Sequence, residues 1–173
     1  ISGIYSQNSI NQFEKRITSM NDSLFHRGPD SGNIFIEKNL ALGHRRLAII
    51  DKGAQSDQPM QSANGVWNIV FNGEIYNFNE IKEELNYSFV TNSDTEVILA
   101  SIEQKGIDWF LNRANGMFAI ALFNSSTQDL YLIRDRMGIK PLYYYYDNNV
   151  IVFASEIKAI LSSGLVNAMF NDL

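Results

Sequence analysis

The chain has 173 residues, of which 45% are hydrophobic and 12% aromatic, and its formal net charge is −5. This length suits one domain with one packed core, and the acidic balance argues against nucleic acid and against an anionic membrane as partners. The absence of cysteine excludes disulfides and cysteine metal sites, and with only His26 and His44 we expect no histidine metal site either. No segment has the apolar length of a membrane span and the first residues do not resemble a signal peptide, so we expect a cytoplasmic protein.

The first third of the chain predicts a strand, a helix and a hairpin. Residues 1–5 alternate apolar with small side chains, which is typical of a short strand. Ser9 predicts a helix start with Gln12 as its capping-box partner, because apolar side chains then follow at helical spacing. Residues 33–37 and 40–45 indicate two strands joined by a tight turn.

A polar stretch over residues 51–59 has the composition of a surface loop, and residues 67–70 predict a buried strand. Asn72 and Gly73 follow at the expected end of that strand. The Asn72 side-chain amide and the Gly73 backbone N–H are two neutral donors, as an oxyanion hole requires, and glycine has no Cβ to block a ligand. Asn-Gly is also a strong turn dipeptide, and the residues alone favour the turn.

The second half of the chain predicts helices and antiparallel strands. Ser93 and Glu96 indicate a capping box for a helix that ends near Gly106, which puts Asp94 in the first turn. The helix dipole favours a carboxylate there, so a structural role for Asp94 is as good an explanation as a functional one. Residues 117–123 form an unbroken apolar run, which predicts a strand covered on both faces. Further helices are predicted at residues 79–85 and 155–164, and further strands at 130–134, 142–146 and 150–154.

This succession of hairpins and a few helices indicates an α+β layered fold with mostly antiparallel sheets.

Two segments each allow a functional and a structural interpretation. Residues 134–140 gather charges around Gly138 and could hold phosphate, but a solvated turn is the better interpretation. The four tyrosines at 143–146 are more typical of an amphipathic strand than of a nucleic-acid stacking platform, given the net charge.

Six motifs stand in one order along about 160 residues of the chain. Together they closely resemble the glutaminase domain of class II glutamine amidotransferases, in particular that of glutamine-dependent asparagine synthetases. The motifs are Ser2-Gly3-Ile4, His26-Arg27-Gly28-Pro29-Asp30, His44-Arg45-Arg46-Leu47-Ala48-Ile49-Ile50-Asp51, Phe71-Asn72-Gly73-Glu74-Ile75-Tyr76-Asn77, Ser93-Asp94-Thr95-Glu96 and Arg134-Asp135-Arg136-Met137-Gly138-Ile139-Lys140-Pro141-Leu142-Tyr143.

The resemblance implies the four-layered αββα sandwich of N-terminal nucleophile hydrolases, with residues 1–173 as a single glutamine amidotransferase type-2 domain. It implies hydrolysis of the glutamine side-chain amide to glutamate and ammonia. Ser2 matches the position of the family's nucleophile, an N-terminal cysteine, and Asn72 and Gly73 match its oxyanion-hole donors. For the substrate, Arg46 matches the residue that binds the α-carboxylate.

Asp94 and Glu74 match the family's groups for the substrate α-ammonium. The loop at residues 51–58 matches the segment that closes over bound glutamine. Residues 134–140 then have a structural role, and His26 and His44 match no acid or base.

The resemblance also bears on cofactors and partners. It implies no cofactor in this domain, because ATP and magnesium belong to a synthetase domain or subunit that receives the ammonia. No sequence for that domain follows residue 155, so we expect it to be absent from this chain or to be a separate subunit. Glutamine is the expected ligand, no nucleic acid or membrane partner is expected, and a homodimer remains open.

The chain departs from the family pattern at the nucleophile. A serine hydroxyl is a poor nucleophile without a base, and in this class the base is the residue's own free α-amine. Ile1 precedes Ser2, so the Ser2 nitrogen is an amide and the chain as written is expected to be inactive. Three explanations stay open: an engineered serine behind a foreign Ile1, a natural serine, or cleavage of Ile1 in the cell. The alternative to an enzyme is a glutamine-binding or regulatory pseudo-glutaminase module.

Overall fold

The computed structural model describes residues 1–7, 12–47 and 54–168. Two antiparallel sheets pack face to face, with sheet A in the strand order β2-β3-β1-β9-β8 and sheet B in the order β4-β5-β6-β7. The strands are β1 (Ser2–Ser6), β2 (Ser31–Glu37), β3 (Leu40–Arg46), β4 (Met60–Gln61), β5 (Trp67–Ile75), β6 (Gly116–Asn124), β7 (Asp129–Arg134), β8 (Tyr143–Asp147) and β9 (Val150–Ala154). The α-helices are α1 (Phe13–Ser23), α2 (Phe78–Glu83), α3 (Asp94–Lys105), α4 (Ile107–Arg113) and α5 (Ile157–Ser162).

Three layers of buried apolar side chains separate four layers of secondary structure. Ile4 and Val152 of sheet A pack against α1 and α5, and Ile120 of sheet B packs against α2, α3 and α4. Between the sheets, Leu42 of β3 meets Val70 of β5. The predicted α+β fold, a four-layered αββα sandwich of mostly antiparallel sheets, is therefore confirmed.

Strand β6 shows why an unbroken apolar sequence was required. Alternate residues of β6, among them Ala119 and Ala121, face sheet A, whereas Ile120 and Leu122 face the helices. Because period-2 alternation puts neighbours on opposite faces, both faces can be buried only if every residue is apolar. The prediction for this run is confirmed.

Strand β5 corrects the interpretation of Asn72 and Gly73. The strand continues to Ile75 and pairs with β6, with Asn72 opposite Ala119 and Gly73 opposite Phe118. Both the turn and the strand end are therefore wrong for this dipeptide. A Cβ on Gly73 would lie 2.1 Å from the Met117 carbonyl oxygen, so glycine is needed for close approach of β6 and not to make room for a ligand.

The helix starts differ in detail from their predictions. Gln12 has a left-handed φ of 65° and precedes α1, so it cannot be the capping-box partner, and Ser9 lies outside the described residues. The Ser93 hydroxyl does accept the Glu96 N–H, at 3.3 Å. The reciprocal bond of a capping box, from the Ser93 N–H to the Glu96 carboxylate, is replaced. The Glu96 carboxylate accepts N–H groups of the preceding loop, including that of Thr91 at 2.6 Å. Helix α4, directly after α3, was not predicted.

The segment after β6 contains a closed turn and an exposed edge strand. The Asp135 carboxylate accepts the Ile139 N–H within the turn at 2.9 Å and the Phe118 N–H of β6 at 3.2 Å, so it ties the turn to the neighbouring strand. These contacts agree with a structural turn. The predicted strand is present as β8, and the exposure of its tyrosines alternates, at 45% and 36% for Tyr143 and Tyr145 against 70% and 61% for Tyr144 and Tyr146. Its inner face is therefore much less buried than an amphipathic strand predicts. Within the described ranges no helix is long and apolar enough to cross a membrane.

Candidate active site

A pocket of about 340 Å³ opens where β3, β5 and the start of α3 meet. Its wall contains five of the six residues that the sequence assigned to a site: Arg46, Asn72, Gly73, Glu74 and Asp94. These residues come from three separate elements, and the two-sheet packing brings them together. The volume lies in the range of small-molecule sites.

The edge of β5 that faces away from β6 supplies the first donor of the pocket. Gly73 lies opposite Phe118, whose backbone N–H and C=O both bond to Asp135, towards β7. The Gly73 N–H therefore points away from β6, to the edge that no strand covers beyond Ile69. On either side of it, the Phe71 N–H donates to Gln58 Oε1 at 2.6 Å and the Ile75 N–H donates to Asp94 Oδ2 at 3.1 Å.

The side chain of Asn72 supplies the second donor. It projects from the same face of β5 as Val70, towards sheet A. Its Nδ2 atom is buried and has no hydrogen-bond partner among the described residues. A buried amide N–H without a partner destabilises a fold by about 1–3 kcal/mol, so this donor is prepared for something other than the protein itself.

Charged side chains of both signs line the pocket: Arg27, Arg45, Arg46 and Lys140 are cationic, and Glu74 and Asp94 are anionic. Arg46 is the last residue of β3, and its Nη1 donates to Asp57 Oδ1 at 2.6 Å. Burial, with a smaller contribution from nearby Glu74, raises the pKa of Asp94 although the Ile75 N–H bond opposes the shift. A zwitterion with its carboxylate near Arg46 and its ammonium near the two carboxylates would fit this lining.

Ser2 is the one predicted site residue that the structure does not bring to this pocket. β1 is paired with β3 and β9 on its two edges, so its side chains alternate strictly. Ile4 faces α1 and α5, and Ser2 faces the same way. The Ser2 hydroxyl is buried, donates to the Gly43 carbonyl oxygen at 3.4 Å, and so lies on the face of sheet A opposite to the pocket.

Ile1, and not Ser2, borders a second cavity beside Asn72. Its side chain belongs to the core between the sheets, and His44 also lines this cavity. Its α-amine donates to Ser155 Oγ at 3.0 Å. Burial and the charge of Arg27 lower the pKa of this amine to about 5.

His44 and Gln58 are two site residues that the sequence did not single out for a role. His44 Nε2 donates to the Phe71 carbonyl oxygen at 3.1 Å, which ties β3 to β5 one residue before Asn72. Burial, followed by the nearby α-amine, lowers the pKa of His44 to about 3, so the ring is neutral at pH 7. Gln58 also donates to Thr95 Oγ1 at 3.2 Å and so joins β5 to α3. His44 stood in a family motif, whereas Gln58 was only the end of a polar loop.

The described part of the chain has no group of three histidine, aspartate or glutamate side chains placed to hold a metal ion. The loop at residues 51–58 is described from residue 54 onwards, and its first three residues lie outside the described residues.

Comparison with known proteins gives a family, relatives and a fold. A family model described as a glutamine amidotransferase domain matches residues 1–172. Asparagine synthetase [glutamine-hydrolyzing] 1 of Bacillus subtilis is 40% identical over 165 residues, which cover 92% of this chain and 26% of that protein. Asparagine synthetase B of Escherichia coli is 41% identical over 154 residues, covering 87% of this chain and 27% of that protein. This chain thus spans about a quarter of the length of these relatives.

Among solved structures, the glutamine phosphoribosylpyrophosphate amidotransferase of Bacillus subtilis matches with a TM-score of 0.75 and 22% identity. The match covers 94% of this chain and 43% of that one. At this identity the likeness concerns the fold alone.

Proposed function

The chain belongs to the glutamine amidotransferase family, and we propose that its pocket binds glutamine and is built to cleave the glutamine side-chain amide. Arg46 takes the α-carboxylate, and Glu74 and Asp94 take the α-ammonium. The side-chain carbonyl oxygen lies between Asn72 Nδ2 and the Gly73 N–H. The observation that carries the proposal is the pair of Asn72 and Gly73 donors, since Asn72 Nδ2 is buried and has no partner in the part of the chain that the structure describes.

These two donors match the chemistry of amide cleavage. Attack on the side-chain carbonyl carbon turns its oxygen into an oxyanion, and donors already aimed at that position stabilise it without reorganisation. Collapse of this intermediate breaks the C–N bond and releases ammonia after protonation of the nitrogen. Water then hydrolyses the acyl-enzyme to glutamate and restores the nucleophile at position 2.

The chain as written lacks that nucleophile, and we propose that it binds glutamine without turning it over. Two observations support this. The Ser2 hydroxyl faces Gly43 on the far side of sheet A, and Ile1 occupies the core beside Asn72. The Ser2 nitrogen is also an amide, which cannot accept the proton of the hydroxyl.

In an active form of the domain, the ammonia would go to an ATP-dependent synthetase domain or subunit like that of the asparagine synthetases. This rests on the names of the relatives and on the quarter of their length that the chain spans. ATP and magnesium would belong to that partner, and the glutaminase domain itself would need no cofactor.

Calorimetric titration with glutamine tests the binding site. The chain should bind glutamine, and Arg46→Ala should weaken binding by about 10- to 150-fold, since a hydrogen bond to a charged group contributes about 1.5–3 kcal/mol. Arg136→Ala removes the same charge from an exposed turn residue and serves as the control. Equal affinity in the Arg46 and Arg136 variants would exclude Arg46 as the carboxylate ligand.

The second candidate function, a glutamine-binding regulatory module, is favoured by the position of the Ser2 hydroxyl. Glutamate release from glutamine separates the two. The chain should give none. Deleting Ile1 makes residue 2 the free end of the chain, which can then turn into the space that Ile1 occupies beside Asn72, so the protein with Ile1 deleted and Ser2→Cys should give measurable release. Adding Asn72→Ala to that repaired protein should reduce the rate about 10²–10³-fold. A folded repaired protein that still releases no glutamate would favour the regulatory module.

A further inference from the structure

We infer that the Asp57 carboxylate is a built-in competitor for the substrate carboxylate at Arg46, and that it sets the affinity of this chain for glutamine. This inference rests on the proposed function. Asp57 directly precedes Gln58 in the chain. It belongs to the loop at residues 51–58 that the resemblance assigned to closure over glutamine, but neither the sequence nor the resemblance gave its carboxylate a role.

Three donors from sheet A converge on the Asp57 carboxylate. Arg46 Nη1 donates to Oδ1 at 2.6 Å, Ser31 Oγ donates to Oδ1 at 3.1 Å, and Asn33 Nδ2 donates to Oδ2 at 3.5 Å. Antiparallel pairing of β2 and β3 puts Ser31 directly opposite Arg46, which is why these donors lie together. A guanidinium, a hydroxyl and an amide around one carboxylate form the kind of site that binds an amino-acid α-carboxylate.

The ion pair between Arg46 and Asp57 is largely shielded from solvent. The Arg46 and Asp57 side chains are only 13% and 25% exposed. Burial alone would raise the pKa of Asp57, but the hydrogen bonds from Arg46 and Ser31 outweigh it and lower this pKa. Asp57 is therefore ionised at neutral pH. A second carboxylate arriving at the same guanidinium meets both an occupied N–H and a like charge.

Glutamine must therefore displace Asp57 from Arg46 or share the guanidinium with it against repulsion. Gln58 is held to the Phe71 N–H and to Thr95, so Asp57 can swing away while the next residue keeps its place on β5. Affinity for glutamine then depends on how firmly Asp57 is held. A ligand that must displace a bound internal group has its affinity reduced by the fraction of molecules in which the site is open.

The test is calorimetry with L-glutamine on four proteins: the chain itself, Asp57→Asn, Ser31→Ala and Asp108→Asn. Asp57→Asn should bind about 5- to 30-fold more tightly, because its neutral amide competes weakly for Arg46. Ser31→Ala removes one donor to Asp57 while leaving Arg46 and Asp57 in place, so it should tighten binding by a few-fold. Asp108→Asn changes the net charge by the same amount at an exposed position of α4 and should have no effect.

The outcomes separate this inference from the proposed function. If glutamine binds with the same affinity to Asp57→Asn as to Asp108→Asn, the inference fails while the glutamine site stands. Weaker binding by Asp57→Asn also overturns it, since Asp57 would then assist the ligand. If none of the four proteins binds glutamine, the proposed function fails and the inference with it. If Asp57→Asn does not fold, Ser31→Ala provides the test: tighter glutamine binding by this variant supports the inference, and unchanged or weaker binding overturns it.

Discussion

Two asparagines on one face of β5 allow the unpartnered donor to be tested by protein stability. Asn68 and Asn72 lie four residues apart in the strand, so both project towards sheet A. Asn68 is 1% exposed and its Nδ2 donates to Ser125 Oγ at 3.0 Å. The Nδ2 of Asn72 is buried as well but donates to nothing among the described residues.

Replacing each by alanine should therefore have unequal effects. Asn68→Ala loses a satisfied buried hydrogen bond and leaves a small void, which should lower the free energy of unfolding by about 1–3 kcal/mol. Asn72→Ala loses no hydrogen bond and removes a desolvated donor, so the free energy of unfolding should change by less than about 1 kcal/mol. Since both variants delete the same atoms, their difference isolates the satisfied bond.

Urea unfolding monitored by circular dichroism gives the two free energies, with midpoints compared at a common slope. In the repaired protein, glutamate release should show the reverse order, with a large loss for Asn72→Ala and little change for Asn68→Ala. If Asn72→Ala costs as much stability as Asn68→Ala, the Asn72 amide has a partner in solution, and it is then not a donor held ready for the substrate.

Two further variants test the strand contacts that shape the site. Gly73→Ala should destabilise the fold by about 1–3 kcal/mol more than Gly65→Ala in thermal unfolding. The new Cβ at residue 73 would strike β6, whereas at Gly65 nothing lies within 4 Å and the cost comes only from the left-handed φ of 73°. Equal losses of stability in the two variants would mean that β6 can move away from a Cβ at residue 73 at little energetic cost. His44 has a folded-state pKa of about 3 against 6.5 when unfolded, so the unfolded state binds the extra proton. Its contribution to stability is complete above pH 6.5 and is lost as pH falls towards 3, at up to about 1.4 kcal/mol per pH unit. Urea unfolding of His44→Gln between pH 6.5 and 4 should therefore show a shallower decline than the original chain, and parallel declines would contradict a buried neutral ring.

The sequence predicted those features that depend on local pattern. The apolar run of β6 needs no partner to be recognised, and the Ser93 hydroxyl caps α3 as its spacing indicated. The alternation of hairpins with helices indicated an α+β layered fold, and the four-layered αββα order came from the resemblance alone. Five of the predicted site residues meet in one pocket because the motifs that carry them mark the ends of β3, β5 and the start of α3.

The features that were missed depend on pairing between distant strands. The continuation of β5 past Asn72 is set by β6, whose partner residues lie more than 40 positions away. The face on which Ser2 lies is fixed by β3 and β9 together, so a motif match at position 2 cannot tell where its side chain points. The contact of Asp57 with Arg46 likewise needs the position of a loop relative to a sheet, and composition carries no information about that.

The uncovered edge of β5 also has a consequence for the behaviour of the protein in concentrated solution. A strand edge with a row of free N–H groups invites pairing with another copy of the chain, and proteins usually block such edges. Here the Gln58 side chain accepts a hydrogen bond from the Phe71 N–H, and the Asp94 side chain accepts one from the Ile75 N–H. The N–H of Gly73 stays accessible only inside a concavity, where a small molecule can reach it and a flat strand cannot. The same two side chains that frame the donor for a ligand therefore also protect the chain against aggregation through this edge.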